Sequence, residues 1–209
     1  MMFSKFYSTA LLLAVITLWF AFVPNVAAQQ TLQAPVIIEE NFNDCEFPAG
    51  WTTNLTGFSG AVWGVGIPDN TNSNGASIDG TCMVYFDDDA SGNSTASWTA
   101  QVTSPAFDGT GPAGSILLLE VDVHFRNWNG SDAFKILVSQ NGSTNWVEVA
   151  VYQGQNYSGT NFDQYLPAKI DITPYAGNAM RVRFEYNDGN DWNWWAAFDN
   201  FKVSQAMLM

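Results

Sequence analysis

The sequence predicts an all-β domain, and three observations carry that prediction. Beyond residue 30 no apolar spacing of helical period occurs, short runs alternate apolar with polar residues, and clusters of Gly, Asn, Asp and Ser separate the runs at turn-like intervals. About ten strands with no helix between them mean an antiparallel sandwich or barrel, in a single domain.

Residues 36–42 read as the first strand, and Pro48-Ala49-Gly50-Trp51 turns the chain after it. Residues 52–80, rich in Gly and Asn with few strand signals, read as a long loop. Runs 81–86 and 97–103 come next, and 116–125 is the longest, with Leu117, Leu119, Val121, Val123 and Phe125 on one face. Runs 134–139 and 146–151 flank Gln140-Asn141-Gly142, a tight-turn signal. Runs 169–173, 180–186 and 194–203 complete the set.

Charge narrows the function. The 209 residues carry 20 acidic and 7 basic side chains, a net charge of −13. That field repels nucleic acid and anionic membrane surfaces. Aromatics make up 15% of the chain and charged residues only 13%, the reverse of a disordered tail.

The first 28 residues read as an address. Lys5 precedes an apolar run over 10–23 broken only by Thr17, and Val26-Ala27-Ala28 supplies the small residues of a signal-peptide cleavage site. The run is short for the roughly 30 Å of a bilayer core. The expected division is a signal peptide at 1–28, a lead at 29–35, a sandwich domain at 36–204 and a tail at 205–209. The mature protein is then secreted or held at the cell surface, with no later apolar run of spanning length. In an oxidising compartment Cys45 and Cys82, the two cysteines of the chain, are expected to join.

A family resemblance follows from Glu40-Asn41-Phe42 and Phe47-Pro48-Ala49-Gly50-Trp51, which resemble the opening of MAM-like and cleaved-adhesin jelly-roll modules of secreted bacterial proteins. Later landmarks keep the same order: Thr103-Ser104-Pro105-Ala106-Phe107, Leu119-Glu120-Val121-Asp122, Val138-Ser139-Gln140-Asn141-Gly142 with Trp146, Asp171-Ile172-Thr173-Pro174-Tyr175-Ala176-Gly177, Val182-Arg183-Phe184, and Phe198-Asp199-Asn200-Phe201-Lys202-Val203. The resemblance covers about residues 39–203. It implies an antiparallel jelly-roll β-sandwich, concanavalin- or galactose-binding-like, that is non-catalytic, serves adhesion or glycan binding, and often carries calcium. Such modules usually sit in longer chains, often beside a secreted protease.

Calcium needs several oxygen ligands, and the exported acidic chain is rich in them. The resemblance places calcium where the first and last strands meet, at Glu40 and Asp199, with Asp88 and Asp44 as further candidates. Asp199 interrupts an apolar stretch between Phe198 and Phe201, where a buried carboxylate needs a cation or donors. Asp88 belongs to the run Asp87-Asp88-Asp89, whose like charges demand solvent or a cation. No EF-hand spacing is present.

Aromatic side chains supply the ligand signal. Sugar rings offer C–H faces that stack on indole, while Asn oxygens and nitrogens read hydroxyls. Trp128 beside Asn127, and Trp192 and Trp194 around Asn193, form candidate glycan platforms; Trp195 is expected in the core.

Glu120, Asp122 and His124 share one strand face, as in the Glu-x-Asp-x-Glu strand of concanavalin-like glycosidases. His124 stands where the second Glu would be, so the proton donor is missing. Nucleophile signatures, a zinc-binding His pair and a phosphate loop are also absent from the sequence. The reading is a secreted, calcium-stabilised, non-catalytic binder of glycan or glycoprotein. Protein–protein adhesion, or accessory service to a secreted enzyme, is the alternative, and a divergent glycosidase using Glu120 and Asp122 the remote one.

Overall fold

The computed structural model describes residues 34–56, 62–68, 77, 79–89, 99–128, 130–158, 164–191 and 193–207, all within the compact unit Gln33–Met209. The expected signal peptide lies outside the described residues. Among those described, no helix is long and apolar enough to cross a membrane.

Eleven strands are described: β1 (Val36–Glu40), β2 (Thr52–Thr56), β3 (Gly64–Gly66), β4 (Met83–Asp87), β5 (Thr99–Thr103), β6 (Ser115–Arg126), β7 (Ala133–Ser139), β8 (Val147–Gln153), β9 (Leu166–Asp171), β10 (Arg181–Asn187) and β11 (Trp195–Met207). They form two antiparallel sheets packed face to face, the predicted sandwich. One sheet runs β3-β4-β11-β6-β9, and β11 shares its outer edge between β4 and β1. The other runs β2-β5-β10-β7-β8.

The expected loop over 52–80 is corrected by β2 and β3, which lie inside it. Neither strand could be read from alternation. Thr52–Thr56 is an edge strand with only Leu55 half-buried, and Gly64–Gly66 is three residues whose glycines lie against the Tyr85 ring. The strand expected at 169–173 instead begins at Leu166 and stops at Asp171, because Thr173–Tyr175 winds into a 3-10 turn with Pro174 in its first positions.

Alternation decides the core. Leu117, Leu119, Val121, Val123 and Phe125 all point inward from β6 and are buried, as read from the sequence. Opposite them, Val182, Phe184 and Tyr186 point inward from β10. The two layers meet at Phe184 and Phe198, whose rings stack with centroids 3.6 Å apart at 12°. Phe42, Trp51 and Trp63 also pack edge-on or stacked around Phe198.

Strand β11 contains both Phe198 and Phe201 in this core, although three residues apart strict alternation would send them to opposite faces. A bulge reconciles them. Asp199 pairs with Asp122 and Lys202 with Glu120, so β11 carries one extra residue there, and Asn200 takes it up at φ 52°. The Phe-Asp-Asn-Phe sequence is thus a bulge signal.

Cys45 and Cys82 form the expected disulfide, tying the β1–β2 loop to the start of β4 across a separation of 37 residues. Closing a loop of that length should contribute about 3–4 kcal/mol through the unfolded chain. Reduction, or Cys45→Ser with Cys82→Ser, should therefore lower the urea midpoint and steepen the slope, because the unlinked unfolded chain exposes more surface; an unchanged midpoint would show that the bridge adds nothing. Phe198→Ala should cost about 3–5 kcal/mol in the same measurement, several times the effect of truncating the exposed Val151.

Candidate functional site

Five strand ends converge at one end of the sandwich. β4 ends where β11 begins (Asp87 opposite Trp195), β6 ends opposite the same Trp195 at Arg126, and β10 ends where β7 begins (Asn187 opposite Ala133). The loops leaving these ends carry most of the residues singled out for binding.

On the outside lies an aromatic ledge. Trp128 is 63% exposed, and its ring meets that of Trp194 at 5.1 Å and 38°. The Arg126 guanidinium lies 3.3 Å from the centroid of the Trp194 ring. Partial burial pulls the Arg126 pKa down to about 10, opposed by Asp89. Asp89, Trp128, Asn193 and Trp194 line a depression of about 140 Å³, well below the roughly 300–1,000 Å³ of an ordinary small-molecule pocket. It has room for one ring seated on the indoles. Trp192 lies outside the described residues. Trp195 is buried, as expected, but on the outer face of its sheet, with Met83 and Ala197, and its indole N–H donates to His124 Nδ1.

Immediately beneath lies a buried polar cluster. Asp88, Asp132, Asp188 and Asn193 are each at most 2% exposed. The Tyr186 hydroxyl reaches Asp88 Oδ2 at 3.3 Å, and the Asn193 backbone N–H donates to the same oxygen at 2.7 Å. Asn127 and Asn193, expected to face a ligand, turn their amides inward instead. Asn127 Nδ2 donates to Asp132 Oδ1, and Asn193 Nδ2 to the Asp188 carbonyl. A buried carboxylate thus draws in Asn127, and a buried backbone carbonyl is satisfied by Asn193. Desolvation pushes the pKa of Asp88 up to about 7, helped by the charges of Asp188 and Asp87; Asp132 is raised to about 7 by burial, with the Asp88 and Asp188 charges adding to it. The acidic run therefore divides: Asp88 turns inward while Asp89 stays at the ledge.

Asp199 occupies a different place, one step beyond the other end of the β4–β11 ladder and directly across from Asp122. It is 1% exposed, its Oδ1 accepts from the Asn200 backbone N–H at 2.7 Å, and its Oδ2 has no hydrogen-bond partner. Burial raises its pKa to about 7, and the Asp79, Asp122 and Glu40 charges add to the shift. Glu40 thus stands near Asp199, with Oε1 accepting from the Asn41 and Phe42 backbone N–H groups at 3.1 and 3.0 Å. Asp44 is exposed and is not among the charges felt by Asp199, and Asp88 lies in the other cluster. Asp79 and Asp122 are the neighbours that sequence order alone did not assign to this group.

Glu120 is held between Lys202 at 2.9 Å and Lys169 at 3.1 Å, and Lys202 above all keeps its carboxyl below the usual range. A general acid needs the opposite shift. His124 is fully buried beside Trp195 and Tyr165, with its Nδ1 accepting from the Trp195 indole N–H.

No protein-family profile matches the chain, and no curated protein matches it in sequence. The fold, however, recurs in solved structures. The K1 cleaved adhesin domain of Lys-gingipain from Porphyromonas gingivalis W83 aligns at TM-score 0.59 and 14% identity, over 81% of this chain and 98% of that domain. The K3 domain of the same protein aligns at 0.56 and 13%, over 83% and 99%. A Stig cyclase from Fischerella sp. TAU aligns at 0.51 and 14%, over 85% and 100%. This chain shares the jelly-roll fold of cleaved adhesin domains. At such identities the likeness is one of fold, and a cyclase sharing it shows that the fold alone does not choose an activity.

The loop from Asp188 to Asp191 can bend over the cluster only because Gly189 adopts φ +62°, where an added Cβ would lie 2.2 Å from the Ser131 carbonyl oxygen. Gly189→Ala should destabilise by about 1–3 kcal/mol or more. A thermal midpoint equal to that of the unsubstituted protein would show that the two loops are not pressed together.

Proposed function

We propose that this chain is a secreted, non-catalytic binding module that seats a glycan or glycoprotein on the Trp128–Trp194 ledge. The observation that carries the reading is Trp128 itself, a large indole 63% exposed yet held against a second indole that is backed by Arg126. A solvated aromatic surface kept in a defined orientation is suited to stack on a sugar face. Asp89, at the rim of the depression, supplies a hydroxyl acceptor. With so small a contact, single-site affinity should fall between micromolar and millimolar. The adhesin names of the two gingipain domains agree with this reading.

Calcium forms part of the proposal. Asp199, Asp122, Glu40 and Asp79 offer an all-oxygen donor set, and the buried Asp199 Oδ2 without a partner fits a hard cation. Calcium there would neutralise the carboxylates that face each other across β6 and β11 and hold β1 to the bulge.

Glycan-array screening followed by calorimetry tests the ledge. Trp128→Ala and Trp194→Ala should each weaken binding at least about tenfold, equivalent to about 1.4 kcal/mol, while Trp128→Ala leaves the thermal midpoint nearly unchanged. Sugar binding that survives both substitutions would overturn the assignment. Capture of a protein without any glycan, lost in the same variants, would move the function to protein–protein adhesion.

A further inference from the structure

The ledge is surrounded by more negative charge than stacking on a neutral sugar needs. Asp87, Asp88 and Asp89 follow one another at the end of β4, Asp132 stands just before β7, and Asp188 and Asp191 lie in the loop that leaves β10. All belong to the end of the sandwich that carries Trp128 and Trp194. Arg126 ends β6 among them, whereas Lys135, the base on neighbouring β7, is taken by Glu148 at 3.0 Å. The acids also feel one another. Burial first, and then the charges of neighbouring acids, raise the pKa values of Asp88 and Asp132. Asp89 differs from the buried acids. It is half-buried at the rim of the depression, and its carboxylate forms no hydrogen bond or ion pair among the described residues. Its charge bears on Arg126 and is open to the space between the indoles.

Given a glycan on the ledge, as proposed above, we infer that it is an amino sugar: it carries an unacetylated amino group, whose ammonium lies over Trp128 and against the Asp89 carboxylate. Indole faces are electron-rich and attract cations, Trp most strongly of the aromatic side chains. The molecule itself shows this, since the Arg126 guanidinium lies 3.3 Å from the centroid of the Trp194 ring. That face of Trp194 is filled. Trp128, 63% exposed and tilted at 38° to Trp194, remains to receive a cation from the ligand. Asp89, Trp128, Asn193 and Trp194 line the same depression of about 140 Å³, so an ammonium placed there meets an indole and a carboxylate at once. Two indoles and an acid around so small a space make an open aromatic cage, the arrangement that suits an organic cation. N-acetylation of the sugar would remove the charge and with it both attractions. A sugar carboxylate would meet the acids of this end as a like charge, which costs affinity. The net charge of −13 also draws cationic ligands toward the surface and repels anionic ones.

Calorimetric titration with short β-1,4-linked oligosaccharides of equal length tests this, using oligomers of glucosamine, of N-acetylglucosamine and of glucose in a buffer that keeps the sugar amine protonated. The glucosamine oligomer should bind at least about tenfold more tightly than the other two. Asp89→Asn should erase that preference with little change in thermal midpoint, because the carboxylate bonds to none of the described residues. Trp128→Ala should weaken the glucosamine oligomer at least about tenfold. Acetylated or glucose oligomers that bind as tightly as glucosamine, and lose affinity in Trp128→Ala, would overturn the amino-sugar selectivity and leave the ledge as the glycan site. Glucosamine binding that survives both Asp89→Asn and Trp128→Ala would be general attraction to an acidic surface, and would overturn it as well. If none of the oligomers binds, the selectivity is overturned, and the array screen decides the ledge by itself.

Discussion

The face-to-face contact of Phe184 and Phe198 joins the two sheets at their centre. Phe198 can hold that place only if β11 runs between β4 and β6 with its even positions inward, and the bulge at Asn200 then returns Phe201 to the same core. Everything proposed for function hangs on this strand. Its first residues lead out of the ledge at Trp194, and Asp199 is the residue that the bulge leaves buried beside Asp122. Packing thus decides where the charges lie. Asp199 points to the face opposite the two phenylalanines and is still only 1% exposed, so its carboxylate must find donors, protons or a cation.

The two acidic groups express one physical conflict in two settings. Carboxylates shed water only at a cost of several kcal/mol each, yet here they are gathered at a strand bulge and at a junction of loops. In both places burial is the leading cause of their raised pKa values and neighbouring acids add to it. The Glu120 triad is the contrast. Two lysines compensate that carboxylate, and its pKa falls instead. A charge balanced by protein side chains keeps a low pKa, whereas burial without such a balance raises those of Asp88, Asp132 and Asp199.

Legibility in the sequence followed the strength of the local pattern. The long run in β6 alternates so regularly that every inward residue could be named, and the tight turn at Asn141-Gly142 was visible because both residues favour positive φ, which they adopt. β2 and β3 were missed because an edge strand with one half-buried side chain, and a strand of two glycines around Val65, carry little periodicity. In the ledge, Trp128 and Trp194 could be picked out as aromatics among amides, but not that their rings would meet, tilted at 38°, at the end of the sandwich. Asn127 and Asn193 were read as ligand-facing because nothing local revealed buried acids behind them.

By itself the sequence determined the fold class, the inward face of β6, the disulfide and the kinds of chemistry available: oxygen ligands and indoles, with no nucleophile or imidazole pair. These are properties of composition and of short-range alternation, which each segment carries alone. Only the tertiary structure decided which acids meet. Asp88, Asp132 and Asp188 are far apart in the chain and become neighbours because three strand ends converge, while Asp88 and Asp199, both candidates for one site, are held apart by the length of the β4–β11 ladder. Spatial grouping depends on strand order and register, and those are set by contacts between distant segments.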